Sequence, residues 1–322
     1  MMRAKEKIER LRAEIEKQLI PLIDNDYVLW DLPYHTNIGD TLIWQGEWNF
    51  LRKLPYKCLG YSSCNTCTFP KLSLDTIILL HGGGNFGDLW RDMQEFRLKV
   101  IERYPENRII IFPQSVHYEN IFLIKEDARK MAMHEKMVIC ARDLSSYNIL
   151  RENFLNKILL LPDMAFCIDL DYLQKWSVDE KFKTLYVRRL DKEMGCELDK
   201  ENFISNEIDI RDWPSLESPS LRINMYTRLI SLQQKMREYK ISNRLIISLV
   251  DIMAFKKFCP LMIELGVRFI SCYHLIYTTR LHVMILSVLL YKRVYFLDNS
   301  YGKNSSFYDT WLKDLDSVNP CK

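Results

Sequence analysis

Thr76-Ile77-Ile78-Leu79-Leu80-His81-Gly82-Gly83-Gly84-Asn85-Phe86-Gly87-Asp88 is the stretch on which the reading of the fold turns. An apolar run of strand character meets three consecutive glycines, and a helix-compatible segment, Leu89 to Glu102, follows. Glycine reaches φ > 0 freely and lets another molecule come close to the backbone. Three of them after a buried strand expose N–H groups to an anion, and the positive end of the next helix faces the same place. The plain alternative is a tight turn without a ligand, but a turn rarely needs three glycines. Three of the ten glycines in the chain stand here, with Gly87 close behind. The stretch reads as one wall of an active site, with Gly82, Gly83, Gly84 and Asn85 as binding candidates.

Upstream the same order recurs. Tyr27–Trp30 reads as a strand, His35-Thr36-Asn37-Ile38-Gly39-Asp40 as a glycine-bearing loop, and Thr41 to Leu54 as a helix. Capping that helix is the commonest role for Asn37 or Asp40. Two such loops in succession favour a shared crevice, which adds Asn37, Gly39 and Asp40 to the candidates. Downstream come strands Arg108–Ser115, Met137–Asp143 and Lys157–Asp163, separated by helices Lys125–Lys136 and Ser145–Asn153. Near-continuous apolar strands alternating with helices mark a parallel sheet covered on both faces. Each strand ends in polar residues, Gln114-Ser115, Arg142-Asp143 and Asp163, at the carboxyl ends where open α/β sheets bind ligands. Asp143 and Ser145 can equally cap the next helix.

Beyond Asp171 the pattern loosens. Residues 191–220 are polar, contain Pro214 and Pro219, and read as a join or an insertion. Strands are expected at Thr184–Val187, Arg244–Val250, Val267–Ser271 and Val294–Leu297. Helices are expected at Ser220–Tyr239, near Met253–Leu265 and from Arg280 onward. The expected architecture is α/β: two Rossmann-like domains facing across a crevice, residues 1–175 and 176–322, with parallel sheets covered by helices.

The totals restrict the function classes. With 322 residues, 48% hydrophobic and 27% charged, the chain is long enough for two folded domains. A net charge of +3, evenly spread, argues against a nucleic-acid partner. Residues 1–18 are charged throughout and lack the apolar core of a secretory signal, so a cytoplasmic location is expected. Ile8, Leu11, Ile15 and Leu19 recur at helical spacing, giving an amphipathic helix. It can pack on the body, pair with a second subunit or lie on a membrane; packing is the favoured reading. Of nine cysteines, Cys58, Cys64 and Cys67 alone invite a metal reading. Cys64-x-x-Cys67 has no second pair at zinc spacing, so no metal is expected.

In the second half, Thr278-Thr279-Arg280-Leu281-His282 opens a strongly apolar helix. An Arg and a His at a helix N-terminus suit an anion: the guanidinium clamps two oxygens and the imidazole moves a proton. Taken alone, an ion-paired Arg and a near-core His account for the pair as well. Lys303 after the last strand and Arg142 in the first half add further cations.

Six short motifs then occur in order: Asn37-Ile38-Gly39-Asp40, His81-Gly82-Gly83-Gly84-Asn85, Phe112-Pro113-Gln114-Ser115, Ala141-Arg142-Asp143-x-x-Ser146, Leu161-Pro162-Asp163 and Arg280-Leu281-His282. Together they resemble the polysaccharide pyruvyl transferase family, over nearly the whole chain from Trp30 to Leu312. The resemblance implies a glycosyltransferase-B-like fold. It also implies transfer of pyruvate from phosphoenolpyruvate, a co-substrate rather than a cofactor, to a pair of sugar hydroxyls as a ketal. It assigns donor binding or catalysis to Arg142, Arg280, His282 and Lys303, the last by position rather than by motif. His282 is the expected general acid, and Gln114 and Ser115 join the substrate-binding set. Residues 190–220 match no pattern of the family. A glycan or lipid-linked saccharide is the expected acceptor, and a lipid-linked one would go with peripheral association at the inner face of a membrane. The competing readings are a nucleotide-sugar glycosyltransferase and a non-catalytic sugar-binding subunit on the same scaffold.

Overall fold

A computed structural model describes residues 3–195, 208–238 and 244–321. The first half runs α1 (Ala4–Leu19), β1 (Tyr27–Trp30), α2 (Ile38–Leu51), β2 (Cys58–Tyr61), β3 (Ile77–Leu80), β4 (Gly83–Gly87), α3 (Arg91–Arg103), β5 (Ile109–His117), α4 (Ile121–Ala132), β6 (Met137–Ala141), α5 (Leu144–Asn153), β7 (Lys157–Leu160) and α6 (Leu170–Gln174). The second runs β8 (Phe182–Val187), β9 (Ile208–Arg211), α7 (Pro214–Glu217), α8 (Leu221–Glu238), α9 (Arg244–Met253), α10 (Cys259–Ser271), β10 (Tyr273–Thr278), α11 (Leu281–Leu289), β11 (Arg293–Phe296), α12 (Lys303–Phe307) and β12 (Val318–Pro320). A π-helical turn, Ala254–Phe258, joins α9 to α10.

The strands form two parallel sheets. One has the order β2-β1-β3-β5-β6-β7, with β4 also paired to β5; the other has the order β12-β11-β10-β8-β9. The runs Ile77–Leu80 and Met137–Ala141 are buried along their whole length, as strands covered on both faces must be. The boundary expected at 175/176 falls between α6 and β8, hence between the sheets. Helix α1 buries Ile8, Leu11, Ile15 and Leu19, and Arg12 Nε donates to the Phe166 carbonyl at 2.6 Å, so its apolar stripe is consumed by packing.

Three sequence expectations are corrected. No helix begins at Leu89 directly after the glycines. Gly83 (φ +133°) and Gly87 (φ +128°) instead carry the chain on as β4, and α3 starts only at Arg91. Arg244–Val250 is helical, not a strand: Val250, Ala254 and Phe258 are buried four residues apart, a period that a short apolar run conceals. Val267–Ser271 is the end of α10, in which Ile263, Val267 and Ile270 share a buried face, and the strand comes after it as β10. Strands β2, β9 and β12 had no counterpart in the sequence reading. Of the polar stretch 191–220, residues 196–207 lie outside the described residues, as does Tyr239.

Candidate active site

Both sheets point their carboxyl ends at one cavity of about 300 Å³. The loop after β1 supplies His35, Thr36 and Asn37, the first turn of α2 supplies Asp40, and the glycine stretch supplies Gly84 and Asn85. Arg142 follows β6, Arg189 follows β8, Trp213 follows β9, Arg280 and His282 follow β10, and Lys303 follows β11. The placement is that of ligands at the carboxyl edge of open α/β sheets, here with two sheets facing each other.

Each cation reaches the cavity already paired. Arg142 is 1% exposed; its Nε donates to Ser115 Oγ at 2.9 Å and its Nη1 to Asp163 Oδ2 at 2.9 Å. Arg280 holds Asp212 with both Nε and Nη2, the latter at 2.6 Å. Lys303 Nζ meets Glu193 in a short contact, and Arg189 Nη2 donates to the other oxygen of Glu193 at 2.9 Å. A bidentate carboxylate fixes the plane of a guanidinium and so aims its remaining N–H groups. Asp212 does this for Arg280; Arg142 is fixed instead through Nε by Ser115 and through Nη1 by Asp163, which leaves Nη2, 3.1 Å from where a Cβ on Gly84 would lie.

His282 is buried at the centre. Its Nε2 lies 3.4 Å from Arg142 Nη1 and 3.5 Å from Asp163 Oδ2, between a donor and an acceptor. Burial pulls the imidazole below its ordinary pKa of 6.5, and Arg142 adds to this against the pull of Asp163 and Asp40. Burial raises the Asp163 carboxyl, but its hydrogen bond to His282 and the charges of His282 and Arg142 hold it well below the usual carboxylate range. Burial likewise brings the Lys303 ammonium down to about 8 despite Glu193. Glu193 falls to about 2: burial opposes this, and the charges of Lys303 and Arg189 outweigh it.

Of the residues expected from sequence, Asn37, Asp40, Gly84, Asn85, Arg142, Arg280, His282 and Lys303 line the cavity. Gly39, Gly82, Gly83, Gln114 and Ser115 stand behind its wall. Ser115 Oγ accepts from Arg142 and donates to Asp143 at 2.8 Å, while Gln114 Nε2 donates to the His81 carbonyl at 2.7 Å. Asn37 does cap α2, accepting from Gly39 N at 3.1 Å, and its amide also donates to Asp40 at 2.8 Å. Asp143 caps α5 through Ser146 N at 2.9 Å and receives Ser306 Oγ from the second half at 3.0 Å.

Gly39 leaves the space that His282 fills, since a Cβ there would sit 2.6 Å from His282 Nδ1. Gly39→Ala is therefore expected to displace the imidazole and cut activity at least tenfold with little change in melting temperature. Unchanged activity would show that the ring does not need this position.

Sequence reasoning missed the carboxylates Asp191, Glu193 and Asp212 and the cation Arg189. It also missed two buried networks that pin the glycine stretch. Glu47 accepts from Gly82 N and contacts His81 Nδ1, both at 2.8 Å. Arg97 joins Asp31 at 3.0 Å and holds Asn85 through both its carbonyl and its side chain. The positive φ of Asp31 (+68°) marks one end of the second network, and no sequence signal forecasts it.

Residues 37–301 match the family model described as polysaccharide pyruvyl transferase. The chain is 31% identical over 324 residues to the Bacillus subtilis (strain 168) protein named "Putative pyruvyl transferase EpsO", covering 99% of this chain and 93% of that one. It is 26% identical over 300 residues to pyruvyl transferase 1 of Schizosaccharomyces pombe, covering 87% and 68% respectively. Among solved structures, an uncharacterized protein of Klebsiella pneumoniae superposes with a TM-score of 0.62 over 97% of this chain and 98% of that one. At 18% identity it speaks for the fold alone. On the extent of the family match and the identity to a relative matched nearly end to end, this chain belongs to the polysaccharide pyruvyl transferase family.

Proposed function

We propose that the chain transfers pyruvate from phosphoenolpyruvate to two hydroxyls of a sugar, forming a cyclic ketal and releasing phosphate. The observation that carries this reading is the convergence of Arg142, Arg280, Lys303 and His282 from both sheets on one cavity. Phosphoenolpyruvate brings a carboxylate and a phosphate, which need several cations held at fixed separation. His282 delivers a proton to the enol methylene carbon, and positive charge develops at the carbon bearing the phosphate. One sugar hydroxyl attacks that carbon and gives up its proton, phosphate leaves with the bridging oxygen, and the second hydroxyl closes the ring and loses its own proton. Of the two hydroxyl protons, one replaces that given by His282 and the other leaves with phosphate. No metal enters these steps.

Trp90 and Met93 from the first half and Leu216 from the second line the same cavity and supply apolar surface of the kind a sugar ring packs against, which supports a sugar acceptor. The acceptor expected is a glycan or a lipid-linked saccharide.

The test is thermal unfolding with phosphoenolpyruvate and, separately, with nucleotide sugars. At about 100 times its Kd a ligand adds roughly 2.7 kcal/mol, a clear upward shift. Phosphoenolpyruvate is expected to give that shift. Arg280→Lys, which keeps a charge against Asp212 but not the planar fork, is expected to lose most of it. A shift with a nucleotide sugar alone would move the assignment to glycosyl transfer.

A further inference from the structure

Helix α8 is apolar on two opposite faces. Ile223 and Ile230 are buried against the body of the protein. Leu221, Met225, Leu229 and Leu232, spaced four, four and three residues apart, form a second, exposed stripe, with Leu221 89% and Leu232 56% exposed. A helix facing water on one side carries polar residues there, so this stripe calls for an occupant. Helix α9, packed beside α8, adds Leu249 (64% exposed) and Ile252.

The charges around these residues have one sign. Among the described side chains from Leu221 to Lys257 the exposed charges are Arg222, Arg228, Lys235, Lys256 and Lys257. The one described carboxylate in that span, Asp251, is buried and accepts from Thr66 Oγ1 at 2.7 Å. At helical spacing Arg228 and Lys235 flank one side of the apolar stripe and Arg222 the other. Exposed leucines bordered by cations are the pattern of a helix lying in the plane of a membrane interface. Among the described residues no helix is long and apolar enough to cross a bilayer.

We infer that the α8–α9 face docks peripherally on an anionic lipid bilayer, with the leucines entering the boundary between headgroups and acyl chains and the cations meeting lipid phosphates. This moves the membrane contact away from α1, whose apolar stripe is buried. It also brings the bilayer near the cavity, because α8 begins four residues after α7, whose Leu216 lines the cavity wall. The inference does not depend on the identity of the donor.

The experiment is sedimentation of the full chain with vesicles of phosphatidylcholine alone and of phosphatidylcholine mixed with phosphatidylglycerol. The protein is expected to pellet with the mixed vesicles and to be released by salt. Leu221→Ser/Leu229→Ser/Leu232→Ser alters only exposed positions and is expected to stay folded and remain in the supernatant. Arg228→Gln/Lys235→Gln is expected to weaken partitioning roughly fivefold per cation, the ratio equivalent to about 1 kcal/mol for each basic residue near an anionic surface. Folded wild-type protein that stays in the supernatant, or variants that pellet as it does, would overturn the inference. Self-association abolished by the serine variant, without vesicle binding, would assign the face to a second copy of the chain instead.

Discussion

His282→Ala is expected to lower turnover by roughly two to four orders of magnitude, the range supplied by a positioned general acid, while phosphoenolpyruvate still raises the melting temperature. The cations proposed to hold the donor are braced by their own carboxylates, Arg142 by Asp163 and Arg280 by Asp212, so removing the imidazole is expected to leave them in place. The sign of the pH effect follows from the burial of His282. Its pKa in the empty site lies below 6.5, so the ring is neutral at pH 7. The approach of an anionic donor favours the imidazolium, with Asp163 at 3.5 Å ready to accept its N–H. Donor binding at pH 7 is therefore expected to take up a proton, and affinity to fall as the pH rises through the pKa of the complex. Below 6.5 the same depressed pKa costs the unliganded fold stability, because the unfolded chain takes a proton there that the native ring resists. Calorimetry of phosphoenolpyruvate binding in buffers of differing ionisation enthalpy measures the uptake. Equal uptake by wild type and His282→Ala would remove His282 from the role, and lost binding with residual turnover would reverse it.

The largest stability effect is expected at Asp31. Arg97 has no exposed surface, and its side chain is neutralised by Asp31 at 3.0 Å. Burial pushes the Asp31 carboxyl up to about 6 against the pull of Arg97 and His81. Asp31→Ala leaves a guanidinium buried without a counter-charge, which costs about 3–5 kcal/mol. It also puts an alanine at φ +68°, a region that aspartate and asparagine tolerate better. Asp31→Asn keeps that tolerance and a hydrogen-bond acceptor, and its loss is expected to be smaller. Urea denaturation gives both values. Because Arg97 also grips Asn85 on the cavity wall, Asp31→Ala is further expected to weaken donor binding at temperatures where it remains folded. A loss under about 1 kcal/mol would mean that water reaches Arg97 after all, since a hydrated charge needs no partner.

Much of the first sheet was legible because its strands are unbroken apolar runs ended by polar residues, and those ends carry the site. Arg142, Arg280 and His282 stood out for the same reason: they are polar residues at the junction of an apolar strand and a helix. The second half was harder. Arg244–Val250 is rich in β-branched and leucine residues over a span too short to separate a period of two from one of 3.6. Its true period shows only when Ala254 and Phe258 are included. The carboxylate partners were illegible for another reason. Asp212 and Glu193 lie in a polar segment without periodicity, and an isolated acid in a sequence reads as surface. Only the fold reveals that they are buried against Arg280 and Lys303. Likewise Asp31 and Arg97 stand 66 residues apart, and nothing local joins them.

The pairing of every cavity arginine and lysine with an acid has a consequence for selectivity in a cell full of phosphate, sulfate and carboxylates. A row of bare cations would hold any of these. Here a single small anion must compete with a carboxylate that is already in place and gains little by doing so. A ligand that reaches several of the remaining N–H groups at once adds its contacts within one binding event, and its advantage over mono-anions grows with each. On the proposed reading, the same acids that lower the gross attraction of the site act as a filter on the number and spacing of negative groups.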